Sequence, residues 1–272
     1  MNTIDQFSFS EKKAIIRVDF NVPINNGEVT DNSRIVAASQ TIKKIISDGG
    51  ACILMSHLGR PKGIDIGLSM ANISKEVERV LGSEILLSKD VVGPDAKSKS
   101  KNLKQGEILL LENIRFAKEE ESDDENFAKN LSKLGDIYIN EAFSCSHRKQ
   151  ASLHKITKFI DSYAGPLFEK EINSINLLIK NKKKPVTCII GGSKVSTKIN
   201  AISNLIKSSD NLIIVGAMAN NFIKYNNIYV GSSLVEKGVE KIIKDINYLA
   251  EKNNCKITIP IDCTTSPDIN GE

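Results

Sequence analysis

Pro185-Val186-Thr187-Cys188-Ile189-Ile190-Gly191-Gly192-Ser193-Lys194-Val195-Ser196-Thr197-Lys198-Ile199-Asn200 is the stretch from which the rest of the chain can be read. The apolar run Val186 to Ile190 predicts a buried strand. Two glycines follow at once. Apolar residues then recur at Val195, Ile199, Ile202, Leu205 and Ile206, which predicts an amphipathic helix with Lys194 and Lys198 on its first two turns. A strand, paired glycines and a lysine-bearing helix start make a place for phosphate. Glycine lets the backbone approach, the helix end offers N–H groups, and lysine adds charge. A plain strand-to-helix turn with solvated lysines explains the stretch equally well. Neither the Walker spacing nor G-x-G-x-x-G is present, so the choice rests on the remaining residues.

Outward from this stretch the same grammar repeats. Strands are expected at Ala14 to Val18, Ala51 to Met55, Ile108 to Leu111, Asp136 to Asn140, Leu212 to Val215 and Ile257 to Ile261. Helices are expected from about Ser33 to Ile46 with Asp31 as cap, through Met70, Ile73, Val77 and Leu81, and around Phe127, Leu131 and Leu134. A long helix carries Phe168, Ile172, Ile175 and Leu178, and another Val239, Ile243 and Ile246. Lys97 to Lys104 reads as a surface segment, and the acidic run Glu119 to Glu125 as a solvated loop opening a helix. Alternating strands and helices imply parallel sheets. The expectation is a two-domain α/β protein, parallel sheets flanked by helices (Rossmann-like): residues 1–165, a connecting helix 166–181 and a partial second domain 182–272.

Composition narrows the function classes. A net charge of +4 is too mild to call for nucleic acid but suits small anions. No apolar run is long enough for a membrane span, and the N-terminus lacks a signal-peptide layout. Cys52, Cys145, Cys188, Cys255 and Cys263 form no C-x-x-C pair, so free thiols in a reducing, cytoplasmic setting are expected.

Ligands of open parallel sheets bind beyond the carboxyl ends of the strands. In the first half those positions hold Asp19 and Asn21, then His57 and Arg60, then Arg115, then His147 and Arg148, with Arg34 at the next helix start. Each has a bland reading alone, as cap, surface arginine or structural histidine. Together they suit a small anion rich in planar oxygens, carboxylate or phosphate, with acceptors for a hydroxyl. In the second half the strands end in Gly191-Gly192, Gly216-Ala217 and Asp262, which suits a nucleotide's base and phosphates. A small-anion site and a nucleotide site, one per domain across a helical hinge, imply transfer between two substrates.

These stretches resemble phosphoglycerate kinase. Arg17-Val18-Asp19-Phe20-Asn21-Val22-Pro23, Ser56-His57-Leu58-Gly59-Arg60-Pro61, Leu110 to Phe116 and Asn140 to Arg148 are similar to the family's substrate loops. Ala164-Gly165-Pro166-Leu167-Phe168-Glu169-Lys170-Glu171 resembles its interdomain helix, and Gly191 to Ile199 its nucleotide loop. The resemblance implies reversible phosphoryl transfer between 1,3-bisphosphoglycerate and ADP, giving 3-phosphoglycerate and ATP, with Mg2+, in a cytoplasmic, monomeric enzyme of glycolysis. It implies that Asp19, Phe20, Asn21, Arg34, His57, Leu58, Gly59, Arg60, Arg115 and Arg148 hold phosphoglycerate. Gly191, Gly192, Lys198 and Gly216 would hold nucleotide, and Arg34, Lys194 and Lys198 would act on the transferring phosphoryl. The acceptor carboxylate is already ionised, so alignment and charge stabilisation suffice without a base.

Three departures stand out. Thr197 takes the place of the family's usual Asp, and Val215-Gly216-Ala217 that of a glycine triplet. The family's Trp-Asn-Gly-Pro segment and its Gly-rich loop with the magnesium-binding Asp are not in these residues, so no metal ligand is assigned. The resemblance is therefore to an amino-terminal portion, and a non-catalytic anion-binding fragment is the alternative reading.

Overall fold

The structure, a computed structural model, describes residues 2–4, 7–180 and 183–266, the side chains of 178–180 excepted. The Leu178 side chain, Asn181, Lys182 and residues 267–272 lie outside that description. Contacts divide the chain into two units, Met1–Asn173 and Ser174–Glu272. The division falls inside one helix.

The first unit runs β1 (Lys13–Arg17), β2 (Ile24–Asn25), β3 (Glu28–Val29), α1 (Ser33–Ser47), β4 (Ala51–Met55), α2 (Ala71–Leu81), β5 (Leu86–Leu87), α3 (Pro94–Asn102) and β6 (Ile108–Leu110). It continues with α4 (Lys118–Glu121), α5 (Glu125–Ser132), β7 (Ile137–Asn140), β8 (Ser162–Ala164) and the start of α6 (Pro166–Lys180). Six strands pair in parallel in the order β5-β6-β4-β1-β7-β8. The central strands are continuous apolar runs because both sheet faces are covered. Ala14, Ile16, Cys52, Leu54, Ile137 and Ile139 pack on one face with Ile35, Ile42 and Ile45 of α1 and Ile73 and Val77 of α2. Ile15, Ile53, Met55, Leu109 and Tyr138 pack on the other with Ala96 of α3 and Phe127 and Leu131 of α5.

From β1 the chain moves outward through β4 to β6 and β5, then returns to the opposite side of β1 with β7 and β8. The loops after β1 and β7 therefore diverge, which opens a crevice at their carboxyl ends.

Four local expectations change. Lys97 to Lys104 lies mostly in a helix, α3, whose start is held by Asp90, which accepts N–H bonds from Gly93, Asp95 and Ala96 at 2.9, 3.0 and 3.0 Å. Only Ala96 and Ser100 of α3 are buried, so it carries almost no apolar signal. In the acidic run, Glu120 is fully buried, although its neighbours are solvated. Asp31 does accept an N–H, that of Ser33 at 2.8 Å, but the residue immediately before the helix is Asn32, whose amide goes to Glu76. The last expected strand, Ile257 to Ile261, is shorter and earlier, at Lys256–Thr258.

The second unit holds β9 (Thr187–Gly191), α7 (Ile199–Ser208), β10 (Asn211–Val215), α8 (Ala217–Tyr225), α9 (Glu240–Lys252) and β11 (Lys256–Thr258), parallel in the order β11-β10-β9. Ile190, Leu212 and Ile214 face a core with Ile202, Ile206, Met218, Ile243 and Ile246. The strand expected to be buried at Val186 to Ile190 is buried on that face alone, and Ile189 is 68% exposed. The described residues form a three-stranded sheet with β9 at its edge, and its helices cover the Ile190 side. Among the described residues no helix is long and apolar enough to cross a membrane.

Candidate functional site

β1 ends in Arg17, and the chain then turns through Asp19. Asp19 is tied from three directions. Arg34 Nη1, from the first turn of α1, donates to Oδ2 at 2.5 Å, Ser144 Oγ does so at 2.5 Å, and the Asn21 N–H reaches Oδ1 at 3.3 Å. Burial works to raise the Asp19 carboxyl, but the Ser144 bond, the Arg34 charge and the Asn21 N–H overcome it and hold it below its ordinary value. Asn21 Oδ1 accepts the Gly59 N–H at 2.8 Å, and the Gly59 carbonyl accepts from Arg115 Nη1 at 2.6 Å. The loops after β1, β4 and β6 are thus joined through Gly59. Arg115 is almost wholly buried, and its Nε has no hydrogen-bond partner.

His57 lies under this loop, 5% exposed, with Nδ1 3.4 Å from Arg17 Nη2 and 3.9 Å from Asp19 Oδ1. Burial, then the charges of Arg17, Arg115 and Arg148, push its pKa down to about 3, against a smaller opposing pull from Asp19. Asp19, His57 and Cys145 bring possible metal-ligand atoms within 4.8 Å of one another. Three guanidinium charges act on the same histidine, so the field there is that of an anion site.

Leu58 and Phe20 serve differently. Both side chains belong to the core, and their backbones are anchored, Phe20 N to Ser56 Oγ at 2.8 Å and Leu58 by Asn113. Arg60 is exposed beside Gly59, and Arg148 is half-buried. Next to Asp19 an open cavity of about 420 Å³ is lined by Arg34, Ser33, Ala37, Phe143, Ser144 and Glu171, among others.

In the second unit β9 ends at Gly191, whose carbonyl accepts from Lys198 Nζ at 2.9 Å. Met218 N donates to the Gly192 carbonyl at 2.7 Å, and Gly216, at φ +67°, lies against the Gly192 backbone. Gly191, Gly192, Lys198 and Gly216 therefore meet at one corner. Lys194 does not stand on the helix as expected. A turn of 3-10 helix at Ser196–Lys198 intervenes, α7 begins at Ile199, and Lys194 is exposed before both. On this loop Glu236 accepts from the Ser196 N–H at 3.1 Å and from the Ser196 hydroxyl.

Comparison with known proteins bears on the whole of both units. The description "Phosphoglycerate kinase" belongs to a family profile that matches residues 4–272. The chain belongs to the phosphoglycerate kinase family. Relatives carrying that name include one from Wolbachia pipientis of Culex pipiens, 44% identical over 96% of this chain and 66% of its own length. One from Moorella thermoacetica is 40% identical over 99% of this chain and 69% of its own. The phosphoglycerate kinase structure from Coxiella burnetii superimposes with a TM-score of 0.83 at 31% identity, covering 98% of this chain and 68% of that one. The chain spans about two thirds of the length of the curated phosphoglycerate kinases it matches.

Residues that pattern and motif did not single out also serve the site. Ser144 holds Asp19, and its only advance signal was membership of the loop after β7. Arg17, 1% exposed, opens the Arg17-to-Pro23 stretch but is a strand residue by pattern. The two departures at the Gly191–Gly216 corner are mild in backbone terms. Thr197 Oγ1 turns back to the Lys194 carbonyl at 3.2 Å. Gly216 takes the positive φ, whereas Ala217 opens α8, a position that does not require glycine.

His57 also makes a pH prediction. Its folded pKa lies far below the ordinary 6.5, so the unfolded chain binds the extra proton between about pH 6.5 and about pH 3. Stability should fall as pH drops through that window, by about 1.4 kcal/mol per pH unit from this one group. Urea midpoints of the first unit at stepped pH should show a shallower dependence in His57→Gln. An unchanged slope would mean that His57 is protonated in the folded protein.

Proposed function

We propose that the first unit binds 3-phosphoglycerate and 1,3-bisphosphoglycerate, that the second binds ADP and ATP, and that they serve reversible phosphoryl transfer in glycolysis. The observation that carries the reading is the convergence of Arg17, His57, Arg115, Arg148 and Asp19 at the carboxyl end of one parallel sheet, with three guanidinium charges acting on a neutral histidine. Such a set favours a small, multiply charged oxyanion. Arg34, Arg60 and Arg148 would grip phosphate and carboxylate oxygens, Asp19 and Asn21 would accept from the hydroxyl, and the backbone of His57, Leu58 and Gly59 would frame the ligand.

The acceptor carboxylate attacks without losing a proton, so the protein's share is alignment and charge stabilisation. Arg34, Lys194 and Lys198 take that share in this proposal, with Gly191, Gly192 and Gly216 bordering the nucleotide. Magnesium enters as the nucleotide's own counter-ion. The donors at the Lys198 corner are ammonium and N–H groups, and Glu236 is engaged by Ser196, so no described group there is assigned to the metal. The division of the chain inside α6 supports a hinge helix at 166–181 joining domains 1–165 and 182–272. A monomer in the cytoplasm completes the proposal.

Titration of the chain with 3-phosphoglycerate, followed by NMR, tests the first-unit site. Salt-sensitive shifts should collect on Asp19 to Asn21, His57 to Arg60 and Ser144 to Arg148. Arg60→Ala and Arg148→Ala should each weaken binding about tenfold, the worth of one charge-assisted contact. Shifts scattered over the surface would reject the site.

A further inference from the structure

Behind His57 lies a chain of buried polar groups that the proposed reaction does not use directly. Arg17 is 1% exposed, and Ser152 and Glu120 are fully buried. Arg17 Nε donates to Ser152 Oγ at 3.0 Å, and Nη1 donates to the Val18 carbonyl at 2.7 Å. Ser152 Oγ donates in turn to Glu120 Oε1 at 2.6 Å, and the Ser152 N–H to Glu120 Oε2 at 2.9 Å. Tyr138 OH fixes the Ser152 carbonyl at 2.8 Å. The last guanidinium nitrogen, Arg17 Nη2, contacts His57 Nδ1 at 3.4 Å.

Guanidinium has donors and no acceptor. The contact with His57 therefore has one polarity: Arg17 donates and Nδ1 accepts. A histidine whose Nδ1 accepts carries its proton on Nε2. We infer that Glu120 and Ser152 are positioning residues which, through Arg17, hold His57 as the neutral Nε2–H tautomer and so make it a fixed hydrogen-bond donor for the bound anion. Donation to an anion oxygen needs the proton on the outer nitrogen, and the other tautomer would present a lone pair. The last step, donation to ligand, rests on the proposed binding of phosphoglycerate; the ring's state does not.

The surroundings agree with a neutral ring. The groups acting on His57 are Arg17 from β1, Asp19 from the loop after β1, Arg115 from the loop after β6, and Arg148 from the loop after β7. Arginines outnumber the one carboxylate, so a second positive charge on the ring is disfavoured. Glu120 explains why so buried an arginine is tolerated. A desolvated charge needs a partner, and Ser152 relays the carboxylate to it. Burial raises the Glu120 carboxyl above its ordinary value, and the Arg17 charge and the two Ser152 bonds offset only part of that rise.

Long-range proton–nitrogen correlation of the histidine rings, on the whole chain, reads the tautomer directly. His57 should carry a single proton, on Nε2, from about pH 5 to about pH 8. Ser152→Ala should release Arg17, mix the two tautomers and lower 3-phosphoglycerate affinity about tenfold. Glu120→Gln should act in the same direction. Finding His57 as the Nδ1–H form or as imidazolium at neutral pH overturns the inference, and so does an unchanged His57 ring in folded Ser152→Ala. The wild-type measurement decides even if both variants fail to fold. A ring fixed as Nε2–H that does not respond to 3-phosphoglycerate upholds the positioning chain and rejects the proposed ligand.

Discussion

Arg34→Lys is expected to lower turnover by about two to three orders of magnitude in a catalytically competent form of the protein, as when one transition-state donor is lost. Binding of 3-phosphoglycerate should weaken much less. Arg34 is held by one nitrogen on Asp19, while its side chain remains 48% exposed beside the cavity. Its remaining donors can meet a phosphoryl group without moving the anchor. Lysine has one nitrogen, which cannot fork between Asp19 and the ligand. Coupled steady-state kinetics with a parallel binding titration separates the two quantities. Near-normal turnover would make Arg34 a binding residue at most.

Gly165→Ala should destabilise the first unit by about 3 kcal/mol, at the upper end for overpacking. A methyl at Gly165 would sit 2.6 Å from Glu141 Oε2 and closer to the rest of that carboxyl. Glu141 cannot swing aside cheaply. It is 2% exposed, accepts from Thr41 Oγ1, and accepts the Leu167 and Phe168 N–H groups at 3.0 and 3.1 Å. Those N–H groups open α6 and would lose their acceptor. The melting temperature of the first unit should drop by about 6–12 °C. A drop of less than about 2 °C would show that Glu141 has room to relax.

The layers of the first unit were legible because Ala14 to Ile16 and Ala51 to Met55 are uninterrupted apolar runs between helices of clear 3.6-residue period. Helix α8 was not, because its start, Gly216-Ala217, reads equally as a loop, and α3 was not, because it buries almost nothing apolar. The site was legible where arginine, histidine or aspartate follows a strand. Glu120 and Ser152 were hidden for opposite reasons. Glu120 turns inward between the solvated Glu119 and Glu121, and Ser152 is a small residue whose importance comes entirely from its partners. Sequence periodicity reports which side of an element is apolar. It cannot report a polar group buried beneath its own neighbours.

The placement of β1 at the middle of its sheet has a consequence for biosynthesis. It leaves the ribosome ahead of both strands that flank it, β4 on one side and β7 on the other. The Lys13 N–H that bonds to Asp136 must wait for a partner 123 positions downstream. At about 5–20 residues per second, that is a delay of about 6–25 s. During it Ala14, Ile15 and Ile16 have one neighbouring strand at best. A nascent chain stalled before β7 should therefore bind a hydrophobic-segment chaperone that a chain stalled after β8 has already shed.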